Sequence, residues 1–217
     1  MKLMVMAKAP VAGLVKTRLC PPLDHRQAAS VAAAALHDTL AAVAASGATR
    51  RVLALSGAPG EWLPAGFEVI TQRGATLTER LTAAWDDCGG PTLQIGMDTP
   101  QVSRDVLDAA MTSLESAPSG AVLGLAEDGG WWAIGMTTAD SRVFTGVPMS
   151  TAETGAAQRA SMRMRQRDPL LLETFRDVDT WEDAVEVARR YPTGLFSAQV
   201  REFDDELRLP NPAGPAG

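Results

Sequence analysis

Strand-like and helix-like segments alternate through the first 116 residues, and this rhythm constrains the fold more than any other feature of the chain. Residues 3–7 are wholly apolar and read as a short buried strand. Asp24, with Gln27 three residues on, forms a capping box that opens a helix running to about residue 46. Ala29, Ala32, Leu36, Leu40 and Val43 make its apolar stripe, and Gly47 is the expected stop. Further strands are expected at 51–56, 67–71 and 92–96. Helical spacing recurs over 77–88 (Leu77, Leu81, Ala84, Trp85) and after a Ser103 cap (Leu107, Ala110, Met111, Leu114). Elements in that order form a largely parallel sheet covered on both sides.

Beyond residue 116 the rhythm changes. Residues 121–126 and 131–136 read as two strands joined by Glu127-Asp128-Gly129-Gly130, a hairpin signal, so one of them runs antiparallel to the main sheet. A helix is expected over 154–167, carrying Arg159, Arg163, Arg165 and Arg167, and a last strand within 170–178. Thr180 with Asp183 caps a final helix to about residue 190. The expected fold class is α/β: a Rossmann-like three-layer sandwich, mostly parallel, with an antiparallel strand. One domain would cover 1–190. Residues 191–217 would be a C-terminal extension, disordered after Arg208 where proline and glycine dominate.

Charge and composition narrow the partners. The net charge of −6 is uneven: residues 1–51 hold seven basic and two acidic side chains, a local +5 that leaves −11 on the remaining 166. That excludes the broad basic surface of a nucleic-acid binder yet allows a small anion near the N-terminal segment. Two distant cysteines, Cys20 and Cys88, and two histidines, His25 and His37, cannot build the usual zinc site, and both thiols read as structural. No apolar run approaches the ~18 residues of a membrane span, and the apolar start is too short for a signal peptide, so a cytoplasmic location is expected.

Ligands of open α/β sheets bind beyond the carboxyl ends of the parallel strands, and three polar segments fall there. Lys8 to Arg18 follows the first strand. It holds two of the chain's three lysines, together with Gly13, Thr17 and Arg18, which suits a di- or triphosphate. It is no Walker loop, because the earlier glycine is missing and Pro21-Pro22 forbid the helix that should begin at the lysine. Asp98 closes the apolar strand at 92–96, where it can hold a divalent cation or cap the following turn. Asp177 and Asp179 share one face of an extended segment while Val178 points to the core; they favour a cation, or Asp179 complements the following helix. Glu127 and Asp128, followed by Trp131 and Trp132, either make only a turn or bind a polyol, and strand alternation lets one tryptophan face it, with Trp131 favoured.

Lys8-Ala-Pro-x-x-Gly13-x-x-Lys16-Thr17-Arg18-Leu19, Leu77-x-Glu79-Arg80-Leu81, Gly96-x-Asp98-x-Pro100, Glu127-Asp128-Gly129-Gly130 and Asp177-Val178-Asp179-Thr180 occur in this order over residues 1 to about 190. Together they resemble the nucleotide-diphospho-sugar transferase superfamily, the glycosyltransferase-A fold. More narrowly, they resemble a bacterial glycosyltransferase-like family that includes assigned arsenosugar-biosynthesis enzymes. The resemblance implies that the loop, with Lys8, Ala9, Pro10, Gly13, Lys16, Thr17 and Arg18, holds base and phosphates, aided by Arg80. It implies Mg²⁺ or Mn²⁺ on Asp98 and Asp179, with Asp177 beside them, and places Asp128, Gly129, Gly130 and Trp131 toward the sugar or acceptor. The chain departs from that family in carrying tryptophan where tyrosine is usual, and it lacks the Asp-x-Asp of many glycosyltransferases. The guanylyltransferase of deazaflavin cofactor synthesis has a similar Lys-Thr-Arg-Leu loop and Asp-Val-Asp-Thr segment.

The expected function is a metal-dependent transfer from a nucleotide-activated sugar to a small-molecule acceptor, with Asp128 or Glu127 as general base. Two alternatives stand beside it: nucleotidyl transfer from a nucleoside triphosphate to a phosphorylated acceptor, and nucleotide binding without catalysis.

Overall fold

A computed structural model describes residues 1–209; the expected disorder of the tail falls, from Pro210 on, outside the described residues. The N-terminal half contains β1 (Lys2–Lys8), α1 (His25–Ala45), β2 (Arg50–Ser56), β3 (Phe67–Thr71), α2 (Leu77–Cys88), β4 (Thr92–Gly96) and α3 (Arg104–Ser116). There follow β5 (Ala121–Leu125), β6 (Trp131–Met136), α4 (Thr154–Met164), β7 (Leu170–Leu171), α5 (Trp181–Arg190) and α6 (Leu195–Arg208). The seven strands form one sheet in the order β3-β2-β1-β4-β6-β5-β7. Only β6 is reversed, pairing antiparallel with β4 and β5; β1–β2, β2–β3, β1–β4 and β5–β7 are parallel.

Strand alternation builds the two cores. Leu3, Val5 and Ala7 of β1 face one side, against α1 and α3, while Met4 faces the other, with Trp85 of α2 and Phe144. Gln94 of β4 is buried on this second side, where its side-chain oxygen accepts from the Trp85 indole N–H.

α1 begins at the capping box: Asp24 accepts from the backbone of Arg26 and Gln27, and the Gln27 side chain accepts from the Asp24 N–H. It is apolar nearly all round because two layers cover it. Ala29, Ala32, Leu36, Leu40 and Val43 face the sheet, whereas Ala28, Val31 and Ala35 meet α5 and α6 through Trp181, Val187, Phe196 and Val200. The expectation that no segment reaches span length needs correction here. An 18-residue window of α1 has mean hydropathy 1.4, with 44% of that window buried inside the fold.

Two other expectations are corrected. α4 stops at Met164 rather than 167, where Gln166 takes a left-handed φ of 60°. The last strand shrinks to Leu170–Leu171 and one isolated bridge, Ala126 with Phe175. Residues 177–179 therefore lie outside the sheet; the Val178 N–H reaches the carbonyl of Asp98 instead, at 2.8 Å.

Candidate functional site

The strand order reverses between β1 and β4, whose neighbours lie on opposite sides, and a crevice opens beyond their carboxyl ends. It is a cleft of about 670 Å³. Its lining holds four basic side chains, Lys8, Lys16, Arg18 and Arg80, together with four carboxylates, Asp98, Asp128, Asp177 and Asp179. Because β6 is inserted antiparallel, the turn between β5 and β6 lies at the same sheet edge as the end of β4, which brings Asp128 to the cleft.

Lys16 organises the centre. Its backbone is left-handed (φ 49°), an uncommon conformation for a side-chain-bearing residue, and it starts a 3-10 turn at Thr17–Leu19. Its side chain is 7% exposed; the ammonium lies 2.5 Å from Asp98 Oδ1 and 3.9 Å from Asp179 Oδ1, and it donates to the Val178 carbonyl. One buried cation thus ties the loop after β1 to the end of β4 and to the 177–179 segment. Arg18, mostly exposed, donates to Asp179 Oδ2 at 2.9 Å. Lys8 and Arg80 make no salt bridge among the described residues. Arg80 Nε donates to the Gly74 carbonyl.

The carboxylates divide into two sets. Asp98 is paired with Lys16, whereas Asp128, Asp177 and Asp179 place carboxylate oxygens within 4.8 Å of one another, with Asp179 also held by Arg18. Burial pushes the Asp177 carboxyl up to about 6, and the nearby charges of Asp128, Asp179 and Asp98 push in the same direction. Such crowding of like charge is what a divalent cation relieves, and oxygen-only donors suit Mg²⁺ or Mn²⁺. The donor set therefore fits the implied ion. The group that could hold it contains Asp128 and not Asp98.

Not every expected site residue lines the cleft. Ala9 is buried beneath it, where its N–H donates to the Ser56 carbonyl; Pro10 is half-buried and Gly13 is exposed, and both lie off its walls. Thr17, Gly130 and Trp131 line it. Gly129 faces an adjoining chamber. Glu127 turns outward to a charge network, accepting from Arg176 at 2.8 Å and Arg190 at 3.4 Å. Trp131 stacks on Phe144, whereas Trp132 is buried on the opposite face against Phe175 and donates to the Glu173 carbonyl.

Two contributors carry no recognisable sequence signal. Gln72, just past β3, donates to the carbonyls of Ala7 and Ala54 and lines the cleft. The segment from Met149 to Ala152, with Ser150 left-handed at φ 60°, also lines it.

Comparison with known proteins fits this architecture. Residues 27–151, over half of the chain, match the family described as "Uncharacterized protein conserved in bacteria (DUF2064)". A Desulfovibrio desulfuricans G20 protein, assigned as a nucleotide-diphospho-sugar transferase, superposes with a TM-score of 0.84 at 25% identity, covering 95% of this chain and 96% of that one. Two more distant structures share the fold. A UDP-glucose pyrophosphorylase from Acinetobacter baumanii has TM-score 0.56 and 10% identity, covering 96% of this chain and 100% of that one. A cytidylyltransferase from Leptospira borgpetersenii serovar Hardjo-bovis has TM-score 0.55 and 13% identity, covering 95% and 94%. No curated protein matches by sequence. The chain therefore belongs to the bacterial family DUF2064, and its fold is that of the nucleotide-diphospho-sugar transferases.

Proposed function

We propose that the protein is a transferase that takes a nucleotide-activated sugar in this cleft and passes the sugar to a small-molecule acceptor. One observation carries the reading: three carboxylates with oxygens within 4.8 Å of one another line the same cleft as Lys8 and Arg80, at the strand-order reversal. The phosphates would lie against Lys8, Arg18 and Arg80, where compact and forked cations can both donate. Lys16 serves as a positioning residue that holds Asp98 and the 177–179 segment in place. Asp177 and Asp179 would hold Mg²⁺ or Mn²⁺, with Asp128 in reach. Bound there, the cation would neutralise charge on the diphosphate leaving group.

Asp128 is the candidate base. One of its oxygens accepts from the Gly130 N–H at 2.7 Å, which orients the carboxylate and leaves the other oxygen open to the acceptor hydroxyl. As the hydroxyl attacks the sugar carbon, its proton passes to Asp128, the carbon–oxygen bond to the diphosphate breaks, and a nucleoside diphosphate leaves. Glu127 has no part in this, since Arg176 and Arg190 hold it away.

A second reading has its own support. Asp98-Thr99-Pro100 offers a single acid in place of Asp-x-Asp. In that reading an anionic acceptor attacks the α-phosphorus of a nucleoside triphosphate and pyrophosphate leaves. Incubation with Mn²⁺ or Mg²⁺, a panel of acceptors and either nucleotide sugars or nucleoside triphosphates separates the two: nucleoside diphosphate release supports the first, and acceptor-dependent pyrophosphate release the second. Calorimetry of Mn²⁺ with UDP on wild type and D179N tests binding itself. Equal, metal-independent binding in both would refute the cleft assignment.

A further inference from the structure

Beside the Asp128–Gly130 turn lies a second cavity of about 450 Å³; Ala126, Gly130 and Ala152 line both it and the cleft. The first turns of α4 form its other side. Small residues dominate the walls, and among the described residues the only charged groups lining it are Arg159 and Arg163. Part of that smallness is structural: a Cβ on Gly155 would stand 2.5 Å from the Gly130 carbonyl oxygen, and one on Gly129 would overlap the Ala152 carbonyl. The arginines are not explained that way.

The two guanidinium groups share one carboxylate. Arg163 takes Asp168 through two hydrogen bonds of 2.8 and 3.3 Å, leaving Arg159 with the same carboxylate at 3.9 Å. Arg159 Nε is buried and has no hydrogen-bond partner among the described residues, although the side chain as a whole is 35% exposed. A buried N–H without an acceptor is costly, and a guanidinium beside an already claimed carboxylate leaves positive charge unspent. A ligand oxyanion against the exposed part of the Arg159 side chain would meet the unspent charge. Among the described residues no carboxylate lines this chamber, so none there repels an anion.

We propose that this chamber holds the anionic group of the acceptor, a phosphate monoester or a carboxylate, on Arg159, while the rest of the acceptor crosses Gly130 toward Asp128. The inference rests on the cleft being the transferase site and adds the chemical class of the acceptor.

The test uses the full chain labelled with ¹⁵N, following the arginine Nε–H resonances, with R159K identifying that of Arg159. Inorganic phosphate and acetate are titrated as probes, with glycerol as the neutral control. Phosphate, acetate or both should move the Arg159 resonance saturably, and which of them does so distinguishes phosphate from carboxylate; glycerol should not. R159Q should weaken that probe by about tenfold or more, the loss of a charge-assisted hydrogen bond. Binding of Mn²⁺ with UDP, measured by calorimetry, should be unchanged in R159Q. An Arg159 resonance that stays still while those of Arg18 or Arg80 move would overturn the chamber assignment. Wild-type protein that binds no nucleotide would instead overturn the main-cleft reading, with the Arg159 titration still deciding the anion site by itself.

Discussion

Replacing Asp177 by asparagine should stabilise the protein near neutral pH while weakening its hold on a cation. Asp177 sits where burial, Asp128, Asp179 and Asp98 together raise its carboxyl from 3.8 to about 6. The folded state thus binds this proton more tightly than the unfolded chain does. Stability contributed by the protonated form is present below the unfolded value and is lost as pH rises toward the folded one. At 1.36 kcal/mol per pH unit the full penalty is about 3 kcal/mol. The cleft is open to solvent, which screens the carboxylates, so a gain of about 1–2 kcal/mol is expected for D177N at about pH 7.5. Urea unfolding of wild type and D177N at about pH 7.5 and about pH 4.5 measures this, and the gap should narrow at the lower pH. Mn²⁺ should raise the melting temperature of wild type more than that of D177N. A variant less stable than wild type near neutrality, or an equal gap at both pH values, would refute the reasoning.

Lys16→Met should destabilise by about 1–3 kcal/mol in urea unfolding, because Asp98 and the Val178 carbonyl both lose their buried donor. It should also lower UDP affinity, since the 177–179 segment is no longer held. Gly155→Ala drives a methyl group into the Gly130 carbonyl and should cost about 1–3 kcal/mol. The displaced turn carries Asp128, so turnover should fall with stability, and normal activity in this variant would count against Asp128. E127Q and D128N form a contrasting pair. E127Q loses only exposed ion pairs and should change stability by less than about 1 kcal/mol with activity kept, whereas D128N should lose turnover. Equal activity loss in both would return Glu127 to the site.

The strands and helices were legible because their signals are local. Asp24 with Gln27 and Thr180 with Asp183 each close a capping box within four residues. Alternation across β1 assigns Leu3 and Val5 to one core and Met4 to the other without reference to any partner. The reversed strand was legible too, from the short turn at Glu127–Gly130. Sequence reading failed where a long-range partner overrides a local pattern. Residues 177–179 look like a strand, but the Val178 N–H bonds to the Asp98 carbonyl and not to a sheet neighbour. α1 looks like an ordinary one-sided helix until α5 and α6 cover its second face.

The candidate site divides along the same line. The kinds of residue present, a lysine- and glycine-bearing loop after the first strand and acids at later strand ends, belong to the chain's order of elements and are written in it. Which acid stands beside which is not, because the grouping depends on where β6 is inserted. That insertion swings Asp128 to Asp177 and Asp179, leaves Asp98 to Lys16, turns Glu127 out to Arg176, and opens the chamber at Arg159. Adjacent residues such as Glu127 and Asp128 are chemically alike in sequence. They part company only when the folded sheet offers one a cleft and the other two arginines, since a carboxylate settles on the partners that packing brings within reach.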